Sequence, residues 1–301
     1  MNINIPKKSK GLPNCGNSCF MNSVLQMLYS IDGFREKILN YNKNNEIIEQ
    51  LSHIFQLLEI SNKKIKEKDL INSYNILYKS FSKEKLYKQQ DAREFLSKIL
   101  EIIEDNKETN LEEIYRFNII KNSYCLKKKS NISKEEQNSE KNLLLVLDIN
   151  KKSIQESINL FQIKDAVSLH RCNNNEKGFI KNIIQIPENN NYLIINLKRY
   201  KNNGSFNKKN IEVNNNIKIN NDEYFLIGAI LKSGSADGGH YVYSTYKNGK
   251  IHFTYDDSSV YNHEPTNMNI RENAYILLYK RVILNNLINK INNKKKILHI
   301  K

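Results

Sequence analysis

The sequence predicts an α+β protein, with a helical N-terminal half packed against an antiparallel sheet in the C-terminal half. Three observations point there. Through the first hundred residues apolar side chains recur at helical spacing. Beyond residue 143 they fall into short runs rich in β-branched and aromatic residues. Between two of those runs stands Asn248-Gly249, the dipeptide that two-residue hairpin turns prefer.

The elements follow in order. Ser18-Cys19 ends a Gly- and Asn-rich turn and opens an apolar stripe through Met21, Val24, Leu25 and Leu28, which Asp32-Gly33 is expected to end. Further helices are expected over Glu46–Ile60, Lys68–Lys79 and Gln89–Glu104; in the last, Phe95, Leu96, Ile99, Leu100 and Ile103 share one face. Lys127–Asn142 is polar, charged and without period, which reads as a mobile loop. Strands are expected over Leu143–Ile149, Tyr192–Tyr200, Tyr224–Leu231, His240–Tyr246, Ile251–Asp256 and Ala274–Tyr279. Residues 284–301 read as a basic tail able to extend a helix, with Lys294–Lys296 as a candidate nuclear-import cluster.

Lys and Arg outnumber Asp and Glu by 47 to 32, a formal charge of +15. A nucleic-acid surface would concentrate that charge and interleave it with aromatics. Here the basic residues are dispersed, so no specific nucleic acid is expected as a partner. No run approaches the roughly 18 apolar residues of a membrane span. The lysines of Met1–Lys10 lack the apolar stretch of a secretory signal. Together these predict a soluble intracellular protein, cytoplasmic or nuclear, with no membrane partner. The 4 cysteines are irregularly spaced and suggest no disulfide framework; in a reducing compartment they are more often buried, catalytic or metal-binding.

One segment carries chemistry on its face. Gly11-Leu-Pro-Asn-Cys-Gly-Asn-Ser-Cys19 delivers a cysteine to the first turn of a helix, where unpaired N–H groups and the macrodipole favour an anion. That suits a nucleophilic thiolate, although a cysteine on a helix face is more often a small buried apolar residue. A thiolate nucleophile needs a base, and the base an orienting group. Of 6 histidines, His240 stands out in Gly238-Gly-His-Tyr-Val-Tyr-Ser, at a strand start among glycines. The hairpin after it would return Asp256 and Asp257 beside the ring; as an adjacent pair after a strand, both also read as ordinary turn residues.

These segments resemble the ubiquitin-specific protease family. Its cysteine box reads Gly-Leu-x-Asn-x-Gly-Asn-Thr-Cys-Tyr-Met-Asn-Ser, from which this chain departs by Ser18 and Phe20. Its histidine box reads Gly-His-Tyr, a hairpin, then Trp-x-x-Phe-Asp-Asp-x-x-Val, from which it departs by His252 in place of Trp. Gln89-Gln-Asp-Ala-Arg-Glu-Phe-Leu96 resembles a third block, and Leu193–Tyr200 and Ala274–Arg281 the late core strands. The resemblance runs from about Gly11 to Arg281. It implies a papain-like cysteine protease of thumb–palm–fingers architecture: thumb about 1–115, fingers about 116–185, palm about 186–283 as one catalytic domain, then the tail. It implies Cys19 as nucleophile, His240 as base, Asp256 as triad acid and Asn14 as oxyanion-hole donor. It further implies substrate contacts from Gln90, Asp91, Glu94, Gly239, Tyr241 and Asp257. Asp91 and Glu94, three apart on one helix face, would face the arginine of ubiquitin's Leu-Arg-Gly-Gly tail.

The expected substrate is ubiquitin on ubiquitinated proteins, the expected enzyme a monomeric cysteine-type ubiquitinyl hydrolase, and no cofactor is called for. Many relatives carry a zinc ribbon of two Cys-x-x-Cys pairs. Here Cys125 and Cys172 have Lys128 and Asn175 where their partners would stand, and even with His170 only three ligands are in sight of the four a structural zinc needs. No metal is expected, and Cys15 reads as a buried neighbour. Three alternatives stay open: a protease for another ubiquitin-like modifier, a ubiquitin-binding pseudoenzyme, and a basic nucleic-acid module.

Overall fold

The computed structural model of the chain describes residues 10–282 apart from 43, 61–63, 84–87, 107–109, 128–130, 163–169, 172–176, 202 and 236–237. Lys128, Cys172, Asn175 and the basic tail with Lys294–Lys296 lie outside the described residues.

Helices fill the first part of the chain: α1 (Cys19–Tyr29), α2 (Asp32–Leu39), α3 (Glu46–Glu59), α4 (Glu67–Phe81) and α5 (Ala92–Asp105). Asp32, expected to end the first helix, instead begins the second. Its carboxylate sits in the first turn of α2, where the dipole favours it, and accepts from Arg35 Nη2 at 3.1 Å. Helix α5 starts at Ala92 rather than Gln89, because Asp91 caps it by accepting from the amides of Arg93 and Glu94.

The remaining elements are mostly strands. Lys127–Asn142, expected as a loop, is corrected to strand: β1 (Phe117–Lys127) is paired antiparallel with β2 (Asn131–Asn142). The missing period has a physical reason. Strand β2 is an edge strand, exposed over Gln137–Glu140, and charged, polar side chains protect such an edge from further pairing. Next come β3 (Leu145–Leu147), α6 (Ile154–Gln162), β4 (His170–Arg171), β5 (Lys177–Gln185), β6 (Tyr192–Leu197) and β7 (Asn216–Ile219). The chain continues through β8 (Asp222–Gly234), β9 (Gly239–Lys247), β10 (Lys250–Asp256), β11 (Ser259–Tyr261), α7 (Ile270–Asn273) and β12 (Ala274–Arg281).

Two sheets result. A four-stranded one has the order β2-β1-β5-β4, and an eight-stranded one the order β11-β10-β9-β8-β12-β6-β3, with β7 on β8. The larger sheet is antiparallel except where β3 pairs with β6 in parallel, a pairing that the long excursion through α6 and β5 makes possible.

The large sheet is covered on both faces, so β6 is buried at every position and reads as an unbroken apolar run. One face carries α1, itself buried along its whole length against β9 and α5, with Phe20, Val24, Leu28 and Phe95 in one apolar cluster with Ile194 and Tyr243. On the other face Ile158 of α6 belongs to one apolar cluster with Leu145, Ile195, Ala229, Val242 and Leu277. Cys15 and Cys19 are free thiols. Cys125 is disulfide-bonded, although the cysteine spacing suggested no disulfide framework. Among the described residues no helix is long and apolar enough to cross a membrane.

The join between α1 and the sheet is tight at Gly228. A Cβ there would lie 2.3 Å from Tyr243 Oη, and that hydroxyl is fixed 2.7 Å from Ser30 Oγ just past α1. Overpacking of this kind costs about 1–3 kcal/mol. Gly228→Ala is expected to lower stability by that amount in urea denaturation, and Tyr243→Phe in the same chain to recover part of it. An unchanged midpoint would show that the join is slack.

Candidate active site

The turn before α1 is built by its own side chains. Gly16 and Asn17 both take left-handed φ, 83° and 54°, which reverses the chain into the helix. Asn14 Oδ1 accepts from the Ser18 amide at 3.0 Å, and the Cys15 amide donates to Ser18 Oγ at 2.8 Å. Cys19 therefore enters the first turn of α1 with its thiol facing the sheet. Cys15, four residues earlier, is wholly buried. Burial first, then the Glu67 and Asp257 carboxylates, push its thiol up to about 11, so it stays protonated at neutral pH.

The facing sheet supplies the base. Asn248 and Gly249 have φ of 53° and 75°, the paired left-handed conformation of the predicted hairpin turn. The hairpin carries Asp256, last residue of β10, back to His240 near the start of β9. His240 Nε2 lies 2.5 Å from Asp256 Oδ1, which leaves Nδ1 for the sulfur. A hydrogen bond with the Cys19 side chain is the first cause holding the imidazolium; the Asp256 hydrogen bond adds to it and burial opposes it. The ring is raised from 6.5 to about 9. Asp256 Oδ2 accepts in turn from Tyr261 Oη at 3.2 Å. His252, the departure from the histidine box, is the unpaired residue of a bulge in β10.

Asp257 follows with φ of 49°, a conformation aspartate tolerates. Its backbone oxygen accepts from the Leu12 amide at 2.9 Å. Its Oδ2 accepts from Asn14 Nδ2 at 2.9 Å and its Oδ1 from Asn22 Nδ2 at 2.7 Å. Gly11 must be glycine for this docking, since a Cβ there would meet the Asp257 carbonyl oxygen at 2.3 Å.

The start of α5 closes the other side. Gln89 binds the Gly239 backbone twice, donating to its carbonyl at 2.7 Å and accepting from its amide at 3.1 Å. Asp91 accepts from Tyr275 Oη at 2.8 Å and Tyr241 Oη at 3.4 Å in addition to its cap bonds. The buried Lys232 donates to Tyr241 Oη at 3.0 Å, with its ammonium over the Tyr200 and Tyr241 rings. Glu94 stands exposed one turn on.

Of the residues singled out in the sequence, Asn14, Cys19, His240, Asp256 and Asp257 thus converge where α1 meets β9 and β10. Asp91 and Glu94 stand at the start of α5, with Gly239 and Tyr241 facing them from β9. Tyr241 is only 1% exposed, and Gln90 turns aside to donate to Tyr78 Oη at 3.1 Å. Gln89, Asn22 and Tyr275 were not singled out. Gln89 stood in the same block as Gln90. Asn22 had a signal of its own, as one of three polar residues, with Ser23 and Gln26, on a helix that is apolar elsewhere.

The chain matches the family described as ubiquitin carboxyl-terminal hydrolase over residues 10–279, and it belongs to that family. It is 30% identical over 105 residues to human ubiquitin carboxyl-terminal hydrolase 37 and 29% identical to that of Gallus gallus. Each match spans 33% of this chain and 11% of the relative, so the chain covers about a tenth of the length of those relatives. Among solved structures it resembles the SAGA DUB module of Ubp8, Sgf11, Sus1 and Sgf73 bound to monoubiquitin. There the TM-score is 0.71 at 23% identity, covering 91% of this chain and 69% of that one. The same module bound to ubiquitin aldehyde gives 0.70 at 22%, covering 91% and 70%. At such identity the likeness speaks for the fold, the α+β papain-like fold that the sequence led one to expect.

Because the His240 ring lies above its ordinary 6.5, the stability its proton contributes is present below about that pH and lost as pH rises through about 9. An NMR titration of the ring should find its midpoint near 9 and a lower one in Asp256→Asn. A midpoint near 6.5 in the unmodified chain would mean the Cys19 and Asp256 contacts do not hold the proton.

Proposed function

We propose that this chain is a thiol-dependent deubiquitinase, hydrolysing the isopeptide or peptide bond after the C-terminal glycine of ubiquitin. The observation that carries the reading is the His240–Asp256 pair, 2.5 Å apart, brought against the Cys19 side chain at the start of α1, with the Asn14 amide in the turn just before it.

His240 takes the proton of the Cys19 thiol, and Cys19 Sγ attacks the glycine carbonyl carbon. The carbonyl oxygen becomes an oxyanion that accepts from the second Nδ2–H of Asn14 and from backbone N–H groups at the helix start. Collapse expels the amine, which takes its proton from His240, and leaves a thioester. The now neutral His240 removes a proton from water as the oxygen adds to the thioester. The second collapse expels Cys19 Sγ, restores the pair and releases the glycine carboxylic acid, which loses its proton to solvent. Asp256 keeps the ring oriented throughout and offsets its positive charge. Along α5, Glu94 offers the carboxylate for the tail arginine, whereas Asp91 is committed to its cap and its tyrosines.

Ubiquitin carrying a C-terminal electrophile should form a covalent adduct with the chain and none with Cys19→Ala, read as added mass. A folded, reduced chain that ignores the ubiquitin probe yet takes one of another ubiquitin-like modifier would transfer the reading to that modifier. The two acidic residues should separate cleanly. Glu94→Gln is expected to raise KM severalfold with kcat and thermal stability unchanged. Asp91→Ala is expected to cost about 0.5–2 kcal/mol of stability through the lost cap.

A further inference from the structure

Asn22 lies three residues after Cys19 on α1 and is 3% exposed. A buried amide has an acceptor and two donor hydrogens to satisfy, and here each is used. Asn22 Oδ1 accepts from Tyr74 Oη at 2.5 Å. Asn22 Nδ2 donates to Leu12 O at 3.0 Å and to Asp257 Oδ1 at 2.7 Å. Tyr74 comes from α4, is wholly buried, and burial keeps its phenol protonated by raising it well above its ordinary value. It is therefore a permanent donor, and a donor on Oδ1 forces Nδ2 to face Asp257.

The constraint passes on. With Oδ1 taken by Asn22, the other oxygen of Asp257 accepts from Asn14 Nδ2 at 2.9 Å. Asn14 Oδ1 is held by the Ser18 amide, so its amide polarity is fixed from both ends, and one N–H is left to point elsewhere. Four side chains from three separate parts of the chain act in series: Tyr74 to Asn22, Asn22 to Asp257, Asp257 to Asn14.

We propose that Tyr74 is a positioning residue for the oxyanion donor, acting from α4 through Asn22 and Asp257 on the amide of Asn14. The proposal rests on the deubiquitinase reading and goes beyond it. Tyr74 touches no reacting atom. Its hydroxyl decides which way two amides face, and misplacement by about 1 Å is enough to cost as much as 10²-fold in rate.

Tyr74→Phe removes only that hydroxyl. With a fluorogenic ubiquitin C-terminal amide, kcat is expected to fall roughly tenfold at steady KM, less than the 10²–10³ lost with an oxyanion donor outright. Affinity for ubiquitin aldehyde, whose adduct with Cys19 places an oxygen in the oxyanion position, should weaken by the same factor. Affinity for plain ubiquitin, measured in the Cys19→Ala background, should not move. In an Asn14→Ala background Tyr74→Phe should cost nothing further, as a shared path requires. Tyr279→Phe, which removes an equally buried hydroxyl donating to Asn214 O at 2.8 Å, should leave kcat and aldehyde affinity alone. If Tyr74→Phe does not fold, Asn22→Ser, too short to bridge Tyr74 and Asp257, takes the same tests with the same expectations. An active chain in which kcat holds, or in which the losses from Tyr74 and Asn14 simply multiply, overturns the relay alone. An inactive wild-type chain overturns the proposed function and the relay with it.

Discussion

The docking of the Asp256–Asp257–Ser258 turn against Gly11–Leu12 is the contact on which the site depends. The proposed nucleophile and oxyanion donor belong to the helical half, the proposed base and acid to the sheet, and their working distances are set across the seam. There the Leu12 amide donates to Asp257 O at 2.9 Å, and the absent Cβ of Gly11 lets the two backbones meet. Asp257 then spends both carboxylate oxygens on the helical half, one on Asn14 and one on Asn22. Gln89 makes the opposite clasp, from the start of α5 to the Gly239 backbone. His240 is thereby held between two fastenings, one on either side of the seam.

Polar groups elsewhere in the interior serve the same geometry. Burying a charge is costly unless it is fully bonded, and Arg199, wholly buried, is bonded to four carbonyl oxygens: those of Asn207, Lys209, Arg271 and Ala274. Burial lowers its guanidinium to about 10, which leaves it charged at neutral pH. It ties the loop after β6 to the start of β12, and so sets Tyr200 beside Tyr275, their ring centroids 5.6 Å apart. Those rings adjoin Asp91, which Tyr275 binds directly. A satisfied network of this kind is rigid because loosening any member leaves a buried partner unpaired.

What the sequence made legible follows from where information about each residue resides. The cysteine turn, the Asn-Gly hairpin and the amphipathic helices are local, since Gly16, Asn17, Asn248 and Gly249 must take left-handed φ where they stand. Strand β2 was not legible, because an exposed edge strand needs no apolar alternation and its pairing is with backbone. Helix α2 was hidden because Asp32, read as the stop of the first helix, suits a helix start as well. The link between Asn22 and Asp257 spans 235 residues, and no local pattern records it. Gln89 was within the motif as read, yet only the structure distinguishes it from Gln90, since neighbouring residues point different ways.

Cys15 and Cys19 lie four residues apart, and the surroundings of each decide its chemistry. Cys19 faces His240, whose ring Asp256 holds at 2.5 Å. Cys15 faces inward, where burial and the carboxylates of Glu67 and Asp257 keep it a neutral thiol. Asp257 therefore acts in two directions: it fixes the amide of Asn14, and its negative charge disfavours ionisation of the Cys15 thiol. Asp257 thus belongs to both surroundings, as the partner of Asn14 and, after burial and Glu67, as one of the groups that keep Cys15 neutral.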